Sequence, residues 1–122
     1  MEKIAITSEG PALDDAVDPR FGRAAGFVVI DPESMTSEFK NNGAAQTMPK
    51  GAGIQAAETV VAAGAKVLLT GYVGPKAFQA LSAAGITIVQ NIENMTVREA
   101  VDRYKNGQID VATAPNSRGH GR

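Results

Sequence analysis

The stretch "GIQAAETVVAAGAKVLLTGYVGPKAFQALSAAGITIV" (53–89) constrains the fold most tightly, because the chain changes period there. "GIQAAETVVAAG" sets Ile54, Ala57 and Val61 at helical spacing, with Gly64 as a stop. "KVLLT" (66–70) then carries a continuous apolar run, the pattern of a strand buried on both faces. Pro75 suits the first turn of a second helix, "PKAFQALSAAG". That helix directs Ala77, Phe78, Leu81 and Ala84 to a core before Gly85 stops it. "ITIV" (86–89) is a further short strand. Strand–helix–strand units of this kind require parallel strands and right-handed crossovers.

The preceding residues read differently. "KIAIT" (3–7) alternates as a strand and "GFVVID" (26–31) is a second. "PES" is a turn, and "MTSEFK" (35–40), opening on Met35, is a third strand. So short a link requires an antiparallel hairpin. Between the first two strands lies an 18-residue connection, "SEGPALDDAVDPRFGRAA" (8–25), with two prolines, two glycines and three aspartates. Ordered connections of that length tend to be functional. "NNGAAQTMPK" (41–50) is a second long loop. Thr96 and Glu99 form a capping-box pattern ahead of a third helix, "VREAVDRYKNG". "QIDVAT" (108–113) adds a short strand or packs on the core, and "APNSRGHGR" (114–122) reads as a flexible tail. The order is β-β-β-α-β-α-β-α, an α/β chain with one mixed sheet. It forms a single domain over 1–113.

Composition narrows the function classes. At 122 residues, 43% of them apolar, one core is feasible without staples. Twelve basic and 13 acidic residues leave no broad cationic face for nucleic acid. The absence of cysteine excludes disulfides and sites built on the chain's own thiolates. No apolar run nears the ~20 residues of a membrane helix, and "MEKIAITSEG" lacks a signal-peptide core. A cytoplasmic protein is expected.

Ligands of open α/β sheets bind beyond the carboxyl ends of the parallel strands. Loops 8–25, 41–53 and 71–75 meet at that edge by topology alone. Gly51 and Gly53 open the first helix and remove side chains from its free N–H groups; "GYVGP", with Gly71 and Gly74, opens the second. Lys50, Lys76, Arg20 and Arg23 supply positive charge. "GAG" does not complete a dinucleotide fingerprint, because Ala56 stands at the last glycine position, and "GPALDDAVD" lacks the terminal G-K-[ST] of a Walker A loop. No nucleotide is expected. Asp14, Asp15 and Asp18 offer carboxylates to a divalent cation. Ser8 and Thr70 have no accompanying base, and the single histidine, His120, lies in the tail. Met48 is the soft side chain in the convergent loops.

"DPRFGRAAGFVVID" (18–31) and "GAGIQAAETVVAAGAKVLLTGYVGPKAFQALSAAGI" (51–86), together with the opening strand, resemble the dinitrogenase iron–molybdenum cofactor biosynthesis family. That family includes the NifX- and NafY-like cofactor carriers and small stand-alone relatives. The resemblance covers nearly the whole chain in order. It implies a ribonuclease H-like, five-stranded mixed sheet with strands 3–7 and 66–70 side by side. It also implies binding of an iron–sulfur or iron–molybdenum-type cluster, related to nitrogen fixation, as a carrier or as an accessory in cluster assembly or delivery; no catalytic constellation is visible, so a non-enzymatic role is expected. The carry-over falls on Arg20, Phe21, Gly22, Arg23, Gly51, Ala52, Gly53, Gly71 and Gly74 as cleft-forming positions. Many relatives place a histidine or cysteine near these loops, where this chain has Lys50. Binding here then relies on backbone amides and cations, with Met48 and His120 as side-chain candidates. Expected partners are cluster donor and acceptor proteins, for a monomer or weak homodimer, with neither nucleic acid nor membrane. The alternative reading is a small regulatory module for a phosphate-bearing metabolite or a partner protein. An enzyme using the aspartate-rich loop with Mg²⁺ or Mn²⁺ comes last.

Overall fold

The computed structural model describes residues 2–109 and 111–116. Five strands, β1 (Ile4–Ser8), β2 (Gly26–Ile30), β3 (Ser37–Asn41), β4 (Val67–Leu69) and β5 (Thr87–Val89), form one sheet in the order β3-β2-β1-β4-β5. β2 runs antiparallel to β1 and β3, while β1, β4 and β5 are mutually parallel. The mixed five-stranded sheet expected from the sequence is therefore present. The helices are α1 (Gly43–Gln46), α2 (Ala52–Ala62), α3 (Pro75–Ala83) and α4 (Val97–Lys105).

Side chains alternate across the pleat, so each face gathers its own core. Ile4, Ile6, Val28, Ile30, Val67, Leu69 and Val89 meet Val97, Ala100 and Val101 of α4. On the opposite face Ala5, Phe27, Val29, Leu68 and Ile88 meet Ala56, Ala57 and Val60 of α2 and Ala77 and Leu81 of α3. The sheet is thus the middle of three layers, which explains why β1, β2 and β4 are buried along their whole length. Edge strand β3 is exposed or half-buried and carries a Glu38–Lys40 ion pair at 3.3 Å. Charges there discourage pairing with a second sheet.

Several details differ from the sequence reading. The hairpin turn runs over 31–36: the Asp31 N–H donates to the Thr36 carbonyl and the Met35 N–H to the Asp31 carbonyl, at 2.9 and 2.7 Å. Met35 sits in that turn at φ +61°, so β3 starts later than "MTSEFK" suggested. Loop 41–50 contains the single helical turn α1. Helix α2 is rotated somewhat from the expected face: Ala57 is buried as expected, but Val60 is buried in place of Val61, which is 46% exposed. Ala52, Ala56 and Ala57 line its inner face, and small side chains there let the helix seat closely on the sheet. Ala84 is exposed rather than packed. Helix α4 has the expected capping box, with Thr96 Oγ1 accepting from the Glu99 N–H at 3.1 Å. The segment around Ala112 is not a strand. It packs on the core while the Ala112 N–H donates to the Ile88 carbonyl at 2.7 Å.

Candidate functional site

Strand register gathers the long connections at one edge. The end of β1 (Ser8) lies opposite the start of β2 (Gly26), and Gly26 lies opposite the end of β3 (Asn41). Parallel pairing puts the ends of β4 and β5 at the same edge. Loop 9–25 is pinned across it. The Tyr72 N–H donates to the Pro19 carbonyl at 2.6 Å, and the Phe21 N–H to the Tyr72 carbonyl at 3.2 Å. Phe21 is buried against Phe27, with ring centroids 5.7 Å apart, so an aromatic anchor holds the loop down. The three loops read as converging are brought together.

The glycines divide into two kinds. Gly71 serves chain packing, since a Cβ there would lie 2.5 Å from the carbonyl oxygen of Pro19. Gly51 takes φ +76°, a left-handed turn that L side chains resist, and heads α2. Gly53 lies in the first turn of α2, where a Cβ would come 3.1 Å from the Ala77 Cβ in the first turn of α3. The N-termini of α2 and α3 are therefore side by side. Gly22 borders them: a Cβ at Gly22 would stand 3.1 Å from the Gly53 nitrogen. The two backbones approach this closely because residue 22 has no side chain. Gly74 is the N-cap of α3, in extended conformation.

Neither α2 nor α3 has a side-chain cap or an acidic residue in its first turn. Each helix start carries roughly half a positive charge and unpaired N–H donors. Two such starts in contact make a place where an anion is stabilised. Lys50 and Lys76 are exposed next to them, and half-buried Met48 puts its methyl 3.5 Å from the point a Cβ on Gly51 would occupy.

The two arginines do not act as free cations. Arg23 Nη1 donates to the carbonyls of Met48 at 2.5 Å, Gln46 at 3.2 Å and Ala45 at 3.5 Å. It ties off the C-terminal end of α1 and fastens loop 41–50 to loop 9–25. Arg20 Nε and Nη2 grip Asp18 at 3.1 and 3.0 Å, and Arg20 is held more basic than usual by that hydrogen bond and the adjacent charge. Its side chain is 63% exposed against 4% for Asp18, so the buried carboxylate is the fixed partner. The aspartates do not form a cation site. Asp18 is paired with Arg20, Asp14 with Arg98 at 3.0 Å, and Asp15 accepts the Ala12 N–H at 2.8 Å. Among the described residues no three His, Cys, Asp or Glu converge as a metal site. His120 lies outside the described residues.

Sequence reasoning missed a cluster of side-chain amides. Asn116 Oδ1 accepts the Val73 N–H at 2.9 Å, and its Nδ2 donates to the Gly71 carbonyl at 2.8 Å and to Asn91 Oδ1 at 3.0 Å. Gln90, 8% exposed, donates to the Ala114 carbonyl at 2.8 Å and accepts the Asn116 N–H at 3.1 Å. Residues 114–116, assigned to the tail from sequence, are thus fastened beside the start of α3. The sequence signal was slight: an adjacent pair, Gln90 and Asn91, with Asn116 25 residues further on. Tyr72, 42% exposed, donates its hydroxyl to Glu93 at 2.9 Å, which makes the phenol harder to ionise.

Two concavities lie elsewhere. One of about 330 Å³ runs along α2 and α3 over Ile54, Ala57, Glu58, Val61, Ala62 and Ala80. The other, about 280 Å³, is bounded by Gln90, Asn91, Ile92, Met95, Arg103, Gln108 and Ile109. Neither has Gly22, Gly51, Gly53 or Gly74 in its lining.

A five-stranded mixed α/β sheet with order 3-2-1-4-5, helices on both faces and a loop edge rich in backbone donors defines the class of protein. The chain belongs to the dinitrogenase iron–molybdenum cofactor family, whose model matches residues 1–107. This is a family of metal-cluster-binding proteins. Among solved structures, the chain is similar to the apo form of the orange protein from Desulfovibrio gigas. The two are 60% identical over 96% of this chain and 98% of that one, with a TM-score of 0.94. It is also similar to a NifB candidate from Thermotoga solved by NMR, 33% identical over 98% and 100% of the chains, with a TM-score of 0.82. No curated protein matches the chain.

Proposed function

We propose that the chain is a non-enzymatic binding and carrier protein for an anionic iron–sulfur or molybdenum-containing cluster, accessory to cluster assembly or delivery. The observation that carries this reading is the contact between the uncapped first turns of α2 and α3, close enough that a Cβ on Gly53 would stand 3.1 Å from the Ala77 Cβ, with the Gly22 backbone packed beside the Gly53 amide. Family membership supports the cargo class. With no cysteine in the chain, the cargo is held by backbone amides and by Lys50 and Lys76 rather than by thiolates. Gly51 and Gly74 shape the two helix starts, Met48 flanks them, and Arg20, Gly71 and Arg23 hold the loops that frame them. Hydrogen bonds and charge release a cargo more readily than metal–ligand bonds, which suits a carrier. Cluster donor and acceptor proteins are the expected partners of a monomer or weak homodimer in the cytoplasm. No helix among the described residues is long and apolar enough to cross a membrane.

The test is anaerobic incubation of the apo-protein with iron and sulfide, and separately with tetrathiomolybdate, followed by desalting and metal analysis. Retained metal in at least one arm is expected. Metal lost completely in both, with thermal stabilisation by phosphates or nucleotides instead, would replace this reading with a phosphometabolite-binding module.

A further inference from the structure

The concavity beside α4 lies on the other face of the sheet from α2 and α3, so the cargo reading does not use it. Its volume, about 280 Å³, is at the small end of the range for ligand pockets. The floor is apolar. Ile92 is buried, while Met95 and Ile109 pack on the α4 core and keep part of their surface open. The wall is fixed before any ligand arrives. The Asn91 N–H donates to the Gly71 carbonyl at 2.9 Å, the Ile92 N–H to the Thr70 carbonyl at 3.0 Å, and the Val17 N–H to the Met95 carbonyl at 2.9 Å. Asn91 and Asn94 hold the turn out of β5 in the left-handed region, at φ +66° and +60°, which asparagine tolerates better than most side chains.

The polar atoms around that floor are biased toward donors. Gln90 spends its amide on Ala114 and Asn116, and Asn91 spends its Oδ1 on Asn116 Nδ2. Among the described residues, the Asn91 Nδ2, the Gln108 amide and most of the Arg103 guanidinium are left over. Arg103 reaches Glu99 at 3.8 Å, with the two side chains 51% and 53% exposed, so that pair is weak. Among the described residues no carboxylate lines the concavity. N–H donors and one positive charge over an apolar floor suit a molecule with a carboxylate at one end and a hydrocarbon body at the other. We propose that this concavity is a second binding site, for a small aliphatic carboxylate. Its carboxyl group sits on Arg103 and Asn91, and its hydrocarbon covers Ile92, Met95 and Ile109. Glu99 is the internal competitor for Arg103 and gives it up to the ligand. The site stands independently of the cargo reading.

The experiment titrates the full chain with sodium acetate, butyrate and hexanoate and follows the side-chain N–H resonances of Asn91, Gln108 and Arg103 by NMR. Hexanoate should shift them saturably, with affinity rising from acetate to hexanoate as more of the floor is covered. Hexylamine, of the wrong charge, and inorganic phosphate, with no apolar body, should not. Arg103→Gln should bind hexanoate several-fold more weakly at a melting temperature near the parent's, and Arg103→Lys should recover part of the loss. Glu99→Gln keeps a capping side chain at the start of α4 and removes the competing carboxylate, so it should bind hexanoate more tightly. No saturable shift with hexanoate overturns the proposal, as does parent-like affinity in Arg103→Gln or equal binding of hexylamine. Acetate or phosphate binding as tightly as hexanoate overturns the ligand class, because the apolar floor would then contribute nothing.

Discussion

Arg23 and Lys50 are both cations beside "GAG", yet their surroundings give them different work. Arg23 is half-buried with Nη1 on loop carbonyls; Lys50 is exposed. Arg23→Ala should lower stability by about 1 kcal/mol, the usual worth of such bonds after discounting for solvent. It should also speed proteolysis within 41–50. Lys50→Ala should leave urea unfolding unchanged and lower cargo retention. Equal effects of the two on retention, with stability intact, would contradict this division. The sequence could not separate them, because the carbonyls that Arg23 holds lie 22–25 residues away, where no local pattern reports them. The glycines split likewise. Gly71→Ala drives a methyl into the backbone of Pro19 and should cost about 1–3 kcal/mol or more in denaturant unfolding. Gly22→Ala sets a methyl 3.1–3.3 Å from the backbone of Ala52 and Gly53, a milder crowding, so it should cost less stability than Gly71→Ala while lowering retained metal.

At the scale of elements, the sequence reported what period and punctuation encode. "KVLLT" is buried on both faces because helices cover both, and the capping box at Thr96 forms as its spacing implies. The rotation of α2 was not legible, since Val60 and Val61 are adjacent and equally apolar, and only the tertiary seat of the helix chooses between them. Substitution tests that seat. Val60→Ala should cost about 2 kcal/mol, and Val61→Ala should fall within about 0.5 kcal/mol of the parent, both by urea titration. The hairpin turn gives a pH prediction. The Asp31 carboxylate accepts the N–H groups of Glu33 and Ser34, which lowers its pKa below the ordinary 3.8. A depressed folded-state value means its contribution is present above pH ~4 and is lost as pH falls through the folded value. Asp31→Asn should therefore flatten the acid limb of a stability–pH curve and leave the neutral region in place. An acid limb identical to the parent's would assign that pH dependence to other carboxylates.

For the molecule as a whole, the decisive property is that two uncapped helix starts and the exposed Lys50 and Lys76 sit on a chain of net charge −1. Long-range attraction of an anion is therefore weak. On the proposed reading, binding depends on the two helix starts and on Lys50 and Lys76 beside them. Such contacts are screened by salt to a degree set by exposure: the Debye length falls from about 30 Å at 0.01 M to about 3 Å at 1 M. A cluster ligated through metal–ligand bonds would hardly respond to that change. One held by amide dipoles and exposed Lys50 and Lys76 should leave the protein progressively as sodium chloride rises, without loss of helical circular dichroism. Lys50→Ala and Lys76→Ala should each flatten that dependence, because each removes one screened interaction. The helix starts should leave a residual, salt-resistant part, since their donors are fixed in the backbone and partly shielded by the 19–23 loop. Retention that is high and indifferent to salt in the parent and in both lysine variants would place the cargo on side-chain ligands instead. The carrier reading would then lose its physical basis for release.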